Sequence, residues 1–400
     1  MSFLLYISIL LMCLLQACTV AEDSAPTANS EPEPVPLPAP ASTRSLEGDP
    51  DRMHQVADDR TAGRIKPRVY RYLDSATGTE YQMNSGWRVL PRQAAPTGSG
   101  VLAKTTGSLI QTWTDWSGQV ETRIYECVTP TAAQHQSLGC QVESGFMLTG
   151  GGAYADYGNG PGALLWESRP LDASLVTWVA SSKDHLRTNP HVLRVYSIGM
   201  RLKDSTGAYI PVTTLRKYFT YRTGTSSPAV HYPEVTDRGF PPGLPLSGGA
   251  RTNWIRQGSL LTALYPEYLG SYSLVRAAAR DHGVAELTTL SIYEILANEL
   301  EPQGVKIPAF GFLEFGMPRS EGNSVGKGVA TVYRDVTPGS ALISMGGLAR
   351  FPFNGAGRYL FGIKPTGTFQ GQVGIYSKDH VYPCSGNNWV ELVEARKWGI

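Results

Sequence analysis

The amino-acid sequence predicts an all-β protein built from three tandem glycine-rich repeats of about 98 residues. The repeats would stand as sandwich-like beads or close into a pseudo-threefold, prism-like body. A turn-rich composition and an internal self-similarity carry this expectation. Glycine and proline supply 43 and 28 of 400 residues, while charged residues reach only 17%, below the roughly 25% usual for globular domains. A hydrophobic fraction of 42% excludes a wholly disordered chain. With 35 Lys and Arg against 34 Asp and Glu, no net charge draws the chain to nucleic acid, and no nucleic-acid partner is expected.

The self-similarity extends over whole segments. Leu148-Thr149-Gly150-Gly151-Gly152, Leu246-Ser247-Gly248-Gly249-Ala250 and Ser344-Met345-Gly346-Gly347-Leu348 superimpose, with glycine pairs starting at 150, 248 and 346. An apolar run follows each, closing on Pro170, Pro266 or Pro365. Then come Ser182-Lys183-Asp184-His185, Ala279-Arg280-Asp281-His282 and Ser377-Lys378-Asp379-His380. Extending the period gives units at 105–202, 203–300 and 301–400.

Within a unit the glycine pair predicts a turn or bulge needing positive φ, and the apolar run a strand. The proline marks a strand exit or an edge. Alternation such as Leu193 and Val195 against Arg194 and Tyr196 predicts partly buried strands. Ala277-Ala278-Ala279 and the run from Ile295 to Leu300 favour helix by propensity, but their equivalence to the other units predicts strand.

Ahead of the repeats, the apolar stretch from Phe3 to Leu15 is too short for a comfortable transmembrane helix. Leu15-Gln16-Ala17-Cys18 resembles the lipobox of bacterial lipoproteins. The resemblance implies a signal peptide over 1–17, cleavage before Cys18, diacylation of its thiol with palmitate-type chains, and the lipid bilayer as a partner. Thr19, with no aspartate in that place, implies outer-membrane rather than inner-membrane retention in a diderm envelope. An ordinary signal peptide and a retained anchor are the alternative readings of the stretch. Residues 18–50 include Glu31-Pro32-Glu33-Pro34-Val35-Pro36-Leu37-Pro38-Ala39-Pro40 and predict a lipidated polyproline tether. At full extension about thirty such residues reach on the order of 90 Å. Residues 51–104 form an uncertain segment, with strands expected around Arg68 to Tyr70 and Tyr81 to Leu90.

The three Asp-His pairs are the first candidate sites. Pointing inward around an axis, His185, His282 and His380 would make a three-imidazole zinc site. Pointing outward, Asp184, His185, Asp281, His282, Asp379 and His380 would be three equivalent polar sites for a glycan, helped by Trp166, Tyr265 and Phe361. The favoured reading is structural: each aspartate caps a tight turn through backbone N–H groups while the histidine packs at its edge. No cofactor is expected. Gly158, Gly160 and Gly162 lack a dinucleotide context, Gly326-Lys327-Gly328 is not a phosphate loop, and no G-x-S-x-G or H-E-x-x-H occurs. Glu143, Glu167 and Glu234 are expected as solvated surface groups rather than as a glycosidase pair. In an oxidising compartment Cys127 and Cys140 predict a disulfide closing a short loop, and Cys384 is left over.

These readings predict an envelope-tethered binding or structural lipoprotein, multivalent for a glycan or other polar surface ligand, with a surface protein as the other partner class. The alternative is an exported hydrolase, metal-dependent or acting on polysaccharide.

Overall fold

The computed structural model describes residues 70–74, 79–83 and 104–398, the last interrupted at 157–161, 186–187, 230–232, 239–242, 254–258, 269–272, 281–287, 299–303, 325–328, 351–357, 367–370 and 380–385. The described strands belong to one compact unit, Val56–Ile400. The export segment, Cys18, the tether and Cys384 lie outside the described residues.

An N-terminal hairpin pairs β1 (Tyr70–Asp74) with β2 (Thr79–Met83), close to the two strands expected there. Next come β3 (Lys104–Thr106), β4 (Ser108–Thr114), β5 (Val120–Val128), β6 (His135–Gln141), β7 (Met147–Asp156), β8 (Leu164–Pro170), β9 (Thr177–Lys183) and β10 (Val192–Leu202). One helical turn, α1 (Val212–Leu215), leads to β11 (Phe219–Thr225), β12 (Glu234–Arg238), β13 (Leu244–Thr252), β14 (Leu260–Tyr268), β15 (Ser273–Arg280) and β16 (Leu290–Ala297). The remaining strands are β17 (Gly304–Ile307), β18 (Gly311–Gly316), β19 (Arg319–Ser324), β20 (Val329–Asp335), β21 (Ala341–Arg350), β22 (Arg358–Pro365), β23 (Gln372–Asp379) and β24 (Gly386–Lys397).

The protein is all-β. The alanine-rich β15 and the leucine-rich β16 are strands despite their helical propensity, because each is laddered on both sides, β15 by β12 and β14, β16 by β11 and β13. A weak intrinsic preference loses to two ladders and a buried face.

Three large sheets result. The first runs β20-β23-β22-β7-β10-β5-β4, the second β11-β16-β13-β8-β9-β6-β3, and the third β12-β15-β14-β21-β24-β18-β17. In the third, β19 follows β18 along the same edge of β24, so that sheet is also seven strands wide. Each sheet joins two chain-distant blocks through a two-residue pairing: β22 with β7, β8 with β13, and β14 with β21. Beside every such joint the ladders skip one residue on each strand. The skipped residues are Thr149, Leu246 and Ile343 on β7, β13 and β21, and Trp166, Thr262 and Phe361 on β8, β14 and β22.

The joints correct the expectation for the glycine pairs. These glycines lie inside β7, β13 and β21, and positive φ occurs at others such as Gly118 and Gly145. Their requirement is close approach. A Cβ on Gly249 would stand 2.5 Å from the Cα of Arg169 on β8, and one on Gly346 2.6 Å from the carbonyl oxygen of Leu264 on β14. One on Gly152 would strike the carbonyl oxygen of Ile363 on β22. Only hydrogen fits where one block crosses the next. Pro170 and Pro365 end β8 and β22 as expected, whereas Pro266 lies two residues inside the end of β14.

β7, β13 and β21 also pack on one another, and Thr149 Oγ1 donates to the Ile343 carbonyl at 2.8 Å. One apolar cluster runs through all three sheets, from Ile124 and Val195 through Ile292 and Leu264 to Val390. The expected disulfide joins Cys127 of β5 to Cys140 of β6 and so ties the first sheet to the second. A loop this short adds about 3 kcal/mol in the chain-entropy account.

Candidate functional site

The first sheet curls back on itself. Three strands separate β4 from β22 in the ladder, yet Gln111 Nε2 on β4 reaches the Thr366 carbonyl just after β22 at 3.4 Å. Trp113 of β4 likewise lies against Gly371, at the turn leading into β23. The curl encloses a cleft of about 900 Å³, lined by β4 on one side and by β5, β10, β7 and β22 along its floor.

Strand alternation supplies its chemistry. Ala153, Ala155, Leu193 and Val195 are fully buried in the core, so the residues between them, Tyr154, Asp156, Arg194 and Tyr196, occupy the opposite face. Arg194 is the hub: Nη1 donates to Glu126 Oε1 and Nε to Asp156 Oδ2, each at 3.3 Å. The Tyr196 hydroxyl also donates to Glu126 Oε1, at 2.9 Å. Burial, then the Glu126 charge, raises the Tyr196 hydroxyl above the ordinary tyrosine range and keeps it a donor. Each hydrogen bond to a charged acceptor contributes roughly 1.5–3 kcal/mol. Lys364 of β22 faces the same space, its Nζ 3.8 Å from the centre of the Tyr154 ring and 5.0 Å from that of Tyr376. Burial lowers its pKa, with Asp156 opposing the shift. Aromatic faces, two cations and two carboxylates thus line one open concavity.

The Asp-His residues lie elsewhere. Asp184 Oδ2 accepts the Asn189 backbone N–H at 2.8 Å, closing a turn after β9, and His185 is buried. Asp379 instead pairs with the buried Arg358 at 2.8 Å. Asp281, His282 and His380 lie outside the described residues. Among the described residues no group of three His, Cys, Asp or Glu is arranged to hold a metal ion. Tyr265 and Phe361 are each 1% exposed, inside the body rather than on a polar surface, and Trp166 is half-buried.

Glu143 is half-exposed and paired with Arg123 at 2.7 Å. Glu167 departs from the surface role expected of it. It is buried because Arg169 Nε and Ser181 Oγ each donate to it at 2.7 Å. The side chain of Glu234, on β12, lies outside the described residues.

A serine, a histidine and an aspartate do converge beside Asp184. Ser182 Oγ lies 2.6 Å from His191 Nε2, and His191 Nδ1 is 3.0 Å from the Asn189 carbonyl and 3.6 Å from Asp184 Oδ1. Burial lowers the His191 pKa and favours the neutral ring, whose Nδ1–H donates to the carbonyl. The order of groups is that of a nucleophile activated by a base. Ser182 has no exposed surface and His191 only 1%, so no substrate reaches the hydroxyl. The network is a buried fastening of the turn.

The cleft residues were partly visible in the sequence, since Arg194 and Tyr196 are the polar members of the β10 alternation. Glu126, Asp156 and Lys364 carry no local signature, because a sheet 238 residues deep in sequence, from Glu126 to Lys364, brings them together. No family model matches the chain, and no curated protein matches it significantly.

Proposed function

We propose that the chain is an envelope-tethered lipoprotein whose β body binds a glycan in the cleft of the first sheet. The cleft carries this reading. Sugar rings offer apolar faces that stack on aromatic side chains and hydroxyls that need both donors and acceptors. Trp113 and Tyr154 supply the faces; Arg194, Gln111, Glu126 and Asp156 supply the polar groups. A volume near 900 Å³ lies within the range of small-molecule sites, roughly 300–1,000 Å³. The tether and the lipid at Cys18 are supported by the lipobox-like Leu15-Gln16-Ala17-Cys18 and the proline run behind it.

Three tandem units closing around a pseudo-threefold axis form the second part of the reading. The skipped residues Thr149, Leu246 and Ile343 are 97 residues apart each time, as are the joint residues Ala153, Ala250 and Gly347. Each sheet combines half of one unit with half of another: the third with the first, the first with the second, the second with the third. Independent beads would keep each sheet within one unit. Under this equivalence Lys364 corresponds to Arg169 and Tyr265, which are buried, and Arg194 to Ser291 and Trp389. The cleft chemistry belongs to the first sheet, so binding is single-site rather than threefold.

A glycan array probed with the full chain tests the function. Retention of one glycan class, reduced tenfold or more by Arg194→Ala or Tyr154→Ala and unchanged by Trp116→Ala outside the cleft, is the expected result. Binding by Arg194→Ala equal to that of the wild type would refute the cleft as the site.

A further inference from the structure

The cleft holds two kinds of donor. Arg194 is occupied by Glu126 and Asp156. Lys364 Nζ, by contrast, has no carboxylate within ion-pair distance among the described residues, although it is half-buried against two tyrosine rings. A cation removed from much of its water without a counter-ion is costly, and a full negative charge repays that cost far better than a hydroxyl does. Glu126 and Asp156 act on Lys364 only at a distance, because their hydrogen bonds run to Arg194 and Tyr196.

We infer that the glycan taken by this cleft is anionic, and that Lys364 is the residue selecting its charged group, a sugar carboxylate or a sulfate ester. The inference rests on the glycan reading and adds the ligand's charge. The two cations and two carboxylates lining the cleft balance before a ligand arrives, so the selectivity comes from the position of Lys364 rather than from an overall positive field.

Calorimetric titration of the full chain with three oligomers of equal length tests it: oligogalacturonate, a sulfated galactan oligomer and a neutral galactan oligomer. The expected result is roughly tenfold or greater preference for an anionic oligomer over the neutral one, the usual gain from a charge-assisted contact. Whichever of the two anionic oligomers binds tighter identifies the group as carboxylate or sulfate. Lys364→Met should collapse the preference to within about threefold while leaving neutral binding in place. Lys364→Arg should restore part of it. Lys364→Gln keeps a polar side chain of similar length without the charge and should also lower the preference for the anionic oligomers, which provides a test should Lys364→Met fail to fold. Equal affinity of the wild type for neutral and anionic oligomers would overturn the inference and leave the glycan reading standing, as would a preference surviving Lys364→Met. Failure of all three oligomers, together with an empty glycan array, would remove the glycan reading and the inference with it.

Discussion

Glu391 on β24 stands in an environment that opposes its charge. It is buried beside Glu267 of β14, and one oxygen of each carboxylate, Oε2 in both, lacks a hydrogen-bond partner among the described residues. Arg319 of β19 pairs with Glu267 at 3.2 Å. Burial first, then the Glu267 charge, pushes the Glu391 carboxyl from its ordinary 4.5 to about 8, against the pull of Arg319. A carboxyl raised in the folded state binds more protons there than in the unfolded chain, so its contribution to stability is fully present below about pH 4.5 and is lost as pH rises through 8. Glu391→Gln imitates the protonated form. Urea unfolding should therefore show the wild type losing stability between pH 5.5 and 8.5 by an amount on the order of 2 kcal/mol that the variant does not lose. A wild-type-to-variant difference that is the same at both pH values would contradict this account.

At the scale of elements, the sequence revealed strand identity better than strand partnership. The prolines 170 and 365 and the polar and apolar alternation of β10 follow from local rules and appear where those rules predict. The glycine pairs were legible as special positions but not as crossing points, since at Gly249 and Gly346 the partner that forbids a Cβ comes from a chain-distant strand. Gly249 faces Arg169, 80 residues away in sequence. The cleft was less legible for the same reason: β22 meets β7 through only two residue pairs, and no sequence pattern announces that joint. The crossing makes a sharp prediction. Gly249→Ala, which places a methyl 2.5 Å from backbone, should cost roughly 3 kcal/mol or more in urea unfolding. Gly118→Ala, at φ +69 with open space around the new methyl, should cost about 1 kcal/mol. Equal costs would mean that the strands at the joint separate freely.

At the scale of the molecule, splicing each sheet from two chain-distant blocks makes the body interdependent. Removing 301–400 takes β20, β22 and β23 from the first sheet and β17, β18, β19, β21 and β24 from the third, leaving β7 and β14 as unpaired edges. A chain ending at residue 300 should therefore lack a cooperative thermal transition and bind a dye for exposed apolar surface. A retained sharp transition would favour beads over closure. The same splice creates the cleft, because Lys364 and Thr366 come from the far end of the chain while β4, β5, β7 and β10 come from its beginning.

Function thus rests on whether that composite cleft is where a ligand settles. Hydrogen exchange of the full chain, with and without a saturating anionic oligosaccharide, measures this directly. The account predicts added protection in two distant stretches at once, Ser108–Thr114 of β4 and Arg358–Pro365 of β22, with little change around the buried Ser182 and His191. Protection confined to the segments that follow β9 and β23, or absent from β4 and β22, would contradict it.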